Sequence, residues 1–168
     1  MNKHFRFSGS TFEKLDELGV RASEVLRRSG LAQALAKQSR VLLTTKELFA
    51  LWRAIGEVSG NPAIGLLLGT ENRTQRFHPV GLVALSTENF GAAIDHMARY
   101  KQLTCPEEIR QEIDDKNIDG KNKEWSIEFH WLLADEIEPP VLIECASRGC
   151  YRSVVMAQAR ESRRFALN

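Results

Sequence analysis

The chain has 168 residues, of which 43% are hydrophobic and 27% are charged, so it can fold as one domain with a sizeable core. Lysine plus arginine number 23 against 22 for aspartate plus glutamate, and the net charge of +1 gives almost no overall field to attract a nucleic acid or an anionic membrane. Because the apolar runs are too short for a membrane span and no apolar signal segment follows the first residues, we expect a cytoplasmic protein.

The N-terminal region predicts short helices that follow a loose lead-in over residues 1–10. Three helices are predicted, over Phe12–Leu18 with Thr11 as cap, over Ala22–Arg28 and over Leu31–Lys37. Gly19 and Gly30 are placed to end the first two helices. The arginines around the second helix also fit a helix-turn-helix that binds DNA, but this segment has no asparagine or glutamine to contact bases, which favours a plain helical hairpin.

The stretch from Leu43 to Gly69 predicts two consecutive helices. Thr44 and Glu47 have the spacing of a capping box, in which each side chain accepts a hydrogen bond from the backbone N–H of the other residue. Apolar residues then recur at three- and four-residue steps, which predicts a helix with one buried face. Gly60 is predicted to end this helix, and Asn61, followed by a proline, to begin a short helix whose final glycine is left-handed.

The C-terminal half changes from helical periodicity to alternation. A helix is predicted over Thr87–Leu103, paired strands over Ile109–Ile113 and Glu124–Trp131 with a turn at Asp119-Gly120, and a last helix over Val141–Arg160. The apolar run 79–85 fits a strand or a buried helical turn equally well. The predicted fold class is therefore α+β, with a helical N-terminal half plus a small antiparallel sheet packed by helices.

Four segments together resemble one family, and they are LGVRASEVLRRSGL (18–31), LLTTKELFALWRAIGEVSGNPAIGLLLG (42–69), FHPVGLVALSTENFGAAIDHMARYKQLTCPEEIR (77–110) and EWSIEFHWLLAD (124–135). In order and spacing they resemble the N-terminal, so-called arabinose-binding domain of AraC-type transcriptional regulators, over about Leu18 to Pro140. The resemblance implies an effector-sensing and dimerising module, followed in that family by a DNA-binding domain with two helix-turn-helix units. Because members respond to varied small molecules, it implies no particular ligand.

The sequence departs from the family pattern at its C-terminal end. No residues follow Asn168 for the helix-turn-helix units, and the tail 144–168 is more polar than the helix that usually closes the domain. We therefore interpret residues 1–168 as a single sensing domain that forms a homodimer, either of a truncated regulator or as a stand-alone sensor, with DNA contacted only through a domain absent from the chain. The alternatives are a DNA-binding module built on 22–28 and an interaction fragment that heterodimerises with full-length regulators.

No catalytic, metal or cofactor site is predicted. The four histidines are far apart, no GxSxG or glycine-rich phosphate loop occurs, and the three cysteines contain no CxxC pair. We therefore expect no enzyme activity.

A small-molecule site is predicted instead, in an apolar pocket between the helix 87–103 and the aromatic face of the strand 124–131. Its expected ligand-binding residues are His96, Met97, Arg99, Tyr100, Trp125 and Trp131. The alternative for the methionine and the aromatic residues is ordinary core packing.

Overall fold

The computed structural model describes residues 3–70, 87, 90–114 and 124–149. In chain order the elements are β1 (Phe5–Ser8), α1 (Ser10–Glu17), α2 (Ala22–Arg28), a 3-10 helix (Gln33–Lys37), β2 (Arg40–Leu43), α3 (Thr45–Ser59), α4 (Ile64–Gly69), α5 (Phe90–Thr104), β3 (Glu107–Asp114), β4 (Glu124–Trp131) and α6 (140–149). This order confirms the predicted α+β class, with a mostly helical N-terminal half and an antiparallel strand pair that packs against a helix.

The first strand is an element that the sequence pattern did not reveal. Phe5–Ser8 pairs antiparallel with Arg40–Leu43, and Phe7 of β1 lies opposite Val41 of β2 in the buried layer. The predicted loose lead-in was therefore wrong for these residues. Each strand has only four residues, which is too short for alternation to distinguish a strand from a loop.

The ends of the first helices agree in part with the predictions. Gly19 and Gly30 follow their helices as predicted, and their φ values of 78° and 73° place both in the left-handed region. Helix α1 instead begins at Ser10, with Gly9 in the cap position, so the predicted cap Thr11 lies inside the helix. Gly9 allows a close approach, because a Cβ there would lie 1.9 Å from the carbonyl oxygen of Gln38.

Helix α3 is the central element of the N-terminal half. Its capping box is confirmed, since Thr44 Oγ1 accepts from the Glu47 N–H at 3.3 Å and Glu47 Oε2 accepts from the Thr44 N–H at 2.8 Å. Leu48, Leu51 and Ile55 on its inner face are completely buried. The helix ends where predicted, because Gly60 follows it with a φ of 59°.

Helix α4 differs from the prediction at both ends. Asn61 Oδ1 accepts from the Ala63 N–H at 2.9 Å, but the helix itself begins at Ile64. Gly69 is the last helical residue and is not left-handed, so the predicted closing conformation was wrong. The glycine instead allows α6 to approach, because a Cβ at Gly69 would lie 2.6 Å from the carbonyl oxygen of Cys145.

The C-terminal half contains the strand pair that the alternation predicted. Strands β3 and β4 are antiparallel, with Ile109 opposite Phe129. Along β4, Ser126, Glu128 and His130 are exposed, whereas the residues between them are partly buried, which confirms the predicted alternation. The predicted turn at 119–120, the open run 79–85 and the continuation of the last helix beyond residue 149 lie outside the described residues.

Two hydrophobic clusters form the core. The larger one is built from the N-terminal half together with Leu142 of α6, and the smaller one contains Ala93, Ile94, Met97 and Ile109, between α5 and the strand pair. Strand β4 contacts both, because Phe129 packs against the smaller cluster and Trp131 against the larger one. Within the described residues, no helix is long and apolar enough to cross a membrane.

Candidate ligand-binding site

A cavity of about 260 Å³ opens where the first turn of α3 meets the loop 132–139 that follows β4. Its lining combines polar and apolar side chains and consists of Thr45, Lys46, Phe49, Leu133, Ala134, Asp135 and Glu136. Sites for small molecules are typically concave, mostly apolar surfaces with a few polar groups, with volumes from roughly 300 Å³ upward. This cavity lies just below that range and therefore suits a small ligand.

The start of α3 supplies hydrogen-bond donors beside this cavity. The first N–H groups of an α-helix have no acceptor within the helix. The capping box engages the N–H groups of Thr44 and Glu47, which leaves those of Thr45 and Lys46. Thr45 is only 4% exposed, and its hydroxyl has no hydrogen-bond partner among the described residues. Because a buried polar group without a partner costs roughly 1–3 kcal/mol, a ligand that bonds to this hydroxyl would recover part of that cost.

The loop wall of the cavity is anionic and is tied to α3 by an ion pair. Arg53 contacts both carboxylate oxygens of Glu136, with Nη1 3.0 Å from Oε2 and Nη2 3.2 Å from Oε1. This forked geometry fixes orientation better than a single contact does. The charge of Glu136 is therefore balanced by the protein, and Asp135 is the second carboxylate in the same wall.

The floor of the cavity rests on an aromatic contact. Phe49 is completely buried, and its ring meets that of Trp131 edge-on, at 5.1 Å between centroids and 81° between planes. Phe5 contacts the same indole, with 6.1 Å between centroids. Trp131 therefore supports the cavity from behind and connects its floor to the first strand.

A cluster of charges lies on the other side of Trp131. Lys101 Nζ lies 2.8 Å from Glu107 Oε2, and the Glu107 side chain is only 2% exposed. Burial raises the pKa of Glu138 above its ordinary value, and the Glu107 charge raises it further, whereas Trp131 and Lys101 lower it. The Trp131 indole N–H lies near enough to Glu138 to lower the pKa of its carboxyl, although the two groups do not form a hydrogen bond of ordinary geometry. The loop 132–139 therefore contacts both the cavity and this cluster.

Glu138→Gln is expected to remove a pH dependence of stability. Because the folded-state pKa of Glu138 is raised above 4.5, the folded protein binds more protons than the unfolded chain between the two values, and the free energy of unfolding falls as the pH rises through that interval. The glutamine variant lacks this loss and should be more stable than the parent at neutral pH. Urea titrations between mildly acidic and neutral pH measure the difference.

Glu47→Gln is the control, because the Glu47 carboxylate changes the free energy of unfolding with pH in the opposite direction. Hydrogen bonds from the Thr44 N–H and hydroxyl lower the pKa of Glu47, so its carboxylate contributes stability that is present above pH 4.5 and lost as the pH falls through the folded-state pKa. Stability profiles of the parent and Glu138→Gln that run parallel across the interval would contradict the interpretation of Glu138.

The structure separates the six predicted ligand-binding residues. Met97 is 5% exposed and belongs to the smaller core cluster, so in the described part of the chain core packing occupies the space between α5 and the strands. His96, Arg99 and Tyr100 are exposed on α5, and the rings of His96 and Tyr100 lie 6.1 Å apart. Trp125 pairs with Ile113 through the backbone, and its side chain lies outside the described part of the structure.

Trp131 is not a lining residue of the cavity, but its ring contacts that of Phe49, which is one. Ligand contact by the six residues together stays a prediction.

The lining residues that sequence reasoning missed come from two segments that are far apart in the chain. The capping box gave a signal for the first of them, because it located the start of α3 and hence Thr45 and Lys46, but no pattern indicated that the loop 133–136 returns to that point.

No metal centre competes with this cavity in the described part of the chain, where no group of three His, Cys, Asp or Glu side chains is placed to hold an ion. The Cys105 side chain is buried. Its sulfur lies 3.6 Å from Glu107 Oε2, in the charged cluster rather than in the cavity.

The described part of the chain thus combines an α+β fold with a concave surface lined by polar and apolar side chains. The chain belongs to the family described as the arabinose-binding domain of AraC transcription regulator, N-terminal, which matches residues 19–160. This match confirms the resemblance and gives the class of function, a ligand-sensing regulatory domain of a transcription regulator. The matched range extends past Pro140 and includes α6. No curated protein and no solved structure matches the chain.

Proposed function

We propose that this domain senses a small-molecule effector in the cytoplasm and binds it in the cavity between α3 and the loop 132–139. The observation that carries the proposal is Thr45, which lines a cavity with an aromatic floor and whose buried hydroxyl has no partner in the described structure. Membership in a family of regulatory ligand-binding domains supports the same function. The proposal includes no catalytic step.

The loop 132–139 supplies a route by which binding would alter the rest of the domain. Its residues Leu133 to Glu136 line the cavity, and Glu138 lies beside the Lys101–Glu107 pair at the end of α5. A ligand shifts a conformational equilibrium only when it binds one conformation better than another. We propose that the ligand favours one position of this loop and thereby one packing of α5 against the N-terminal half.

The test is a thermal-shift screen of the full chain against sugars, amino acids and fatty acids, because a ligand that binds the folded state raises Tm by mass action. Thr45→Val keeps the side-chain shape and removes the hydroxyl, so it should fold at least as stably as the parent and bind the ligand roughly tenfold more weakly. Arg99→Ala is the matched control on the exposed face of α5 and should leave the shift unchanged.

The two variants also distinguish the cavity from the site predicted from sequence. If Arg99→Ala abolishes the shift and Thr45→Val does not, the ligand binds on α5 and the cavity proposal is wrong. If no compound in the screen changes Tm, effector sensing by this domain loses its support.

Homodimerisation is the second part of the proposal. It is supported by large apolar side chains that are exposed on α4 and α6, with exposed fractions of 46% for Leu66, 40% for Leu67 and 43% for Ile143. Apolar side chains that share a surface mark candidate interfaces. Sedimentation velocity at micromolar concentration measures the association, and a monomer at every concentration would contradict it.

DNA binding through α2 has less support than effector sensing. Val25 and Leu26 of this helix are completely buried. The arginines at this helix form ion pairs. Arg21, the cap residue, lies 3.0 Å from Glu24, Arg27 lies 4.0 Å from Glu24, and Arg28 lies 2.5 Å from Glu57. A helix that binds DNA uses its cations for phosphates, and these cations already have carboxylate partners. The remaining alternative, heterodimerisation with full-length regulators, would use the same surface as a homodimer.

A further inference from the structure

The two walls of the cavity carry opposite charges. The α3 wall includes the cationic residue Lys46, together with the remaining N–H groups and the positive end of the helix dipole. The carboxylate of Glu47 in the same turn is directed to Thr44, whose N–H and hydroxyl both lie 2.8 Å from Glu47 Oε2. The loop wall presents Asp135 and the Arg53-bound Glu136. A ligand in the cavity therefore meets donors and a cation on one side and a carboxylate on the other.

The floor between these walls is apolar. Phe49, Leu133 and Ala134 form it, and Phe49 is completely buried. The cavity volume of about 260 Å³ lies just below the roughly 300–1,000 Å³ typical of drug-sized ligands, which favours a ligand of the size of an amino acid over a disaccharide or a long-chain lipid.

We infer that the cavity takes a small zwitterion with an apolar side chain, of the class of the apolar amino acids. The ligand carboxylate lies at the start of α3, where the Thr45 hydroxyl and Lys46 are its partners, and the ligand ammonium lies at Asp135. A simple anion would be repelled by Asp135 and a simple cation by Lys46, whereas a neutral sugar could hydrogen-bond to both residues but would supply no counter-charge to either. This inference rests on the proposed function, because it concerns the same cavity.

The test is isothermal titration of the full chain with L-valine, L-leucine, L-methionine and L-phenylalanine, and with L-arabinose and D-glucose as neutral compounds. The strongest amino acid is then compared with its methyl ester, which lacks the carboxylate charge, and with the carboxylic acid that lacks its amine. Each missing charge should weaken binding roughly ten- to hundredfold, as expected for a charge-assisted hydrogen bond.

Two surface variants identify the wall that binds each charge. Lys46→Met should weaken binding of the amino acid and of the amine-free acid and leave the ester unchanged, whereas Asp135→Asn should weaken the amino acid and the ester and leave the acid unchanged. Circular dichroism of both variants checks that they fold. Amino acid affinity that neither variant alters overturns the inference.

The remaining outcomes separate this inference from the proposed function. If a neutral sugar binds, Thr45→Val weakens it and the amino acids do not bind, the zwitterion inference is overturned and the effector cavity stands. If neither the amino acids nor any compound of the wider screen binds, both the inference and the proposed function are overturned.

Discussion

Lys101→Met is expected to lower the free energy of unfolding by about 3–5 kcal/mol at neutral pH, because it leaves the Glu107 carboxylate buried without its charged partner. The Glu107 side chain is 2% exposed and that of Lys101 is 17% exposed, so water replaces little of the lost interaction. The Lys101 ammonium also lies 5.8 Å from the centroid of the Phe129 ring, and this contact is lost as well. Chemical denaturation of parent and variant measures the change.

The double variant Lys101→Met with Glu107→Leu is the matched control. Replacing both members of a buried ion pair by apolar residues is often neutral or stabilising, so the double variant should recover most of the stability that the single variant loses. A loss below about 1 kcal/mol in the single variant would contradict the interpretation, since that is the range of an exposed pair.

The elements that the sequence predicted are those set by neighbouring residues. The capping box of Thr44 and Glu47, the end of α3 at Gly60 and the alternation along β4 are properties of a few adjacent positions, and the structure confirms each of them. Local hydrogen bonds and periodicity determine such features, so one sequence is enough to find them.

The features that the sequence did not predict depend on segments that are distant in the chain. Strand β1 is recognisable only when it is paired with β2. The cavity likewise requires that the loop 133–136 lie against the first turn of α3, which no local pattern encodes. The predicted ligand pocket also depends on such contacts, because Met97 and Ile109 come from different elements and belong to one core cluster. Ligand binding by the six predicted residues stays a prediction.

Gly65→Ala is expected to destabilise the domain by about 2–3 kcal/mol, although alanine is the better helix former. A Cβ at Gly65 would lie 2.5 Å from the carbonyl oxygen of Val141 and 2.8 Å from Cβ of Glu144. Because the nearest atom belongs to the backbone of α6, a rotamer change cannot relieve the overlap and the two helices must separate. Differential scanning calorimetry or chemical denaturation measures the loss.

Gly149→Ala is the matched control on α6 itself. Among the described residues, no atom lies within 4 Å of a Cβ built at Gly149, so this substitution should give only the gain in helix propensity, up to about 1 kcal/mol. Both variants replace a helical glycine with alanine, so both gain helix propensity. A difference between their free energies of unfolding therefore reports the close contact of α4 with α6. If Gly65→Ala is as stable as the parent while Gly149→Ala shows its gain, α6 does not pack on α4 at this distance.

Because α6 follows the loop 132–139 directly, a helix displaced by Gly65→Ala should also weaken the effector-induced rise in Tm, whereas Gly149→Ala should leave it intact.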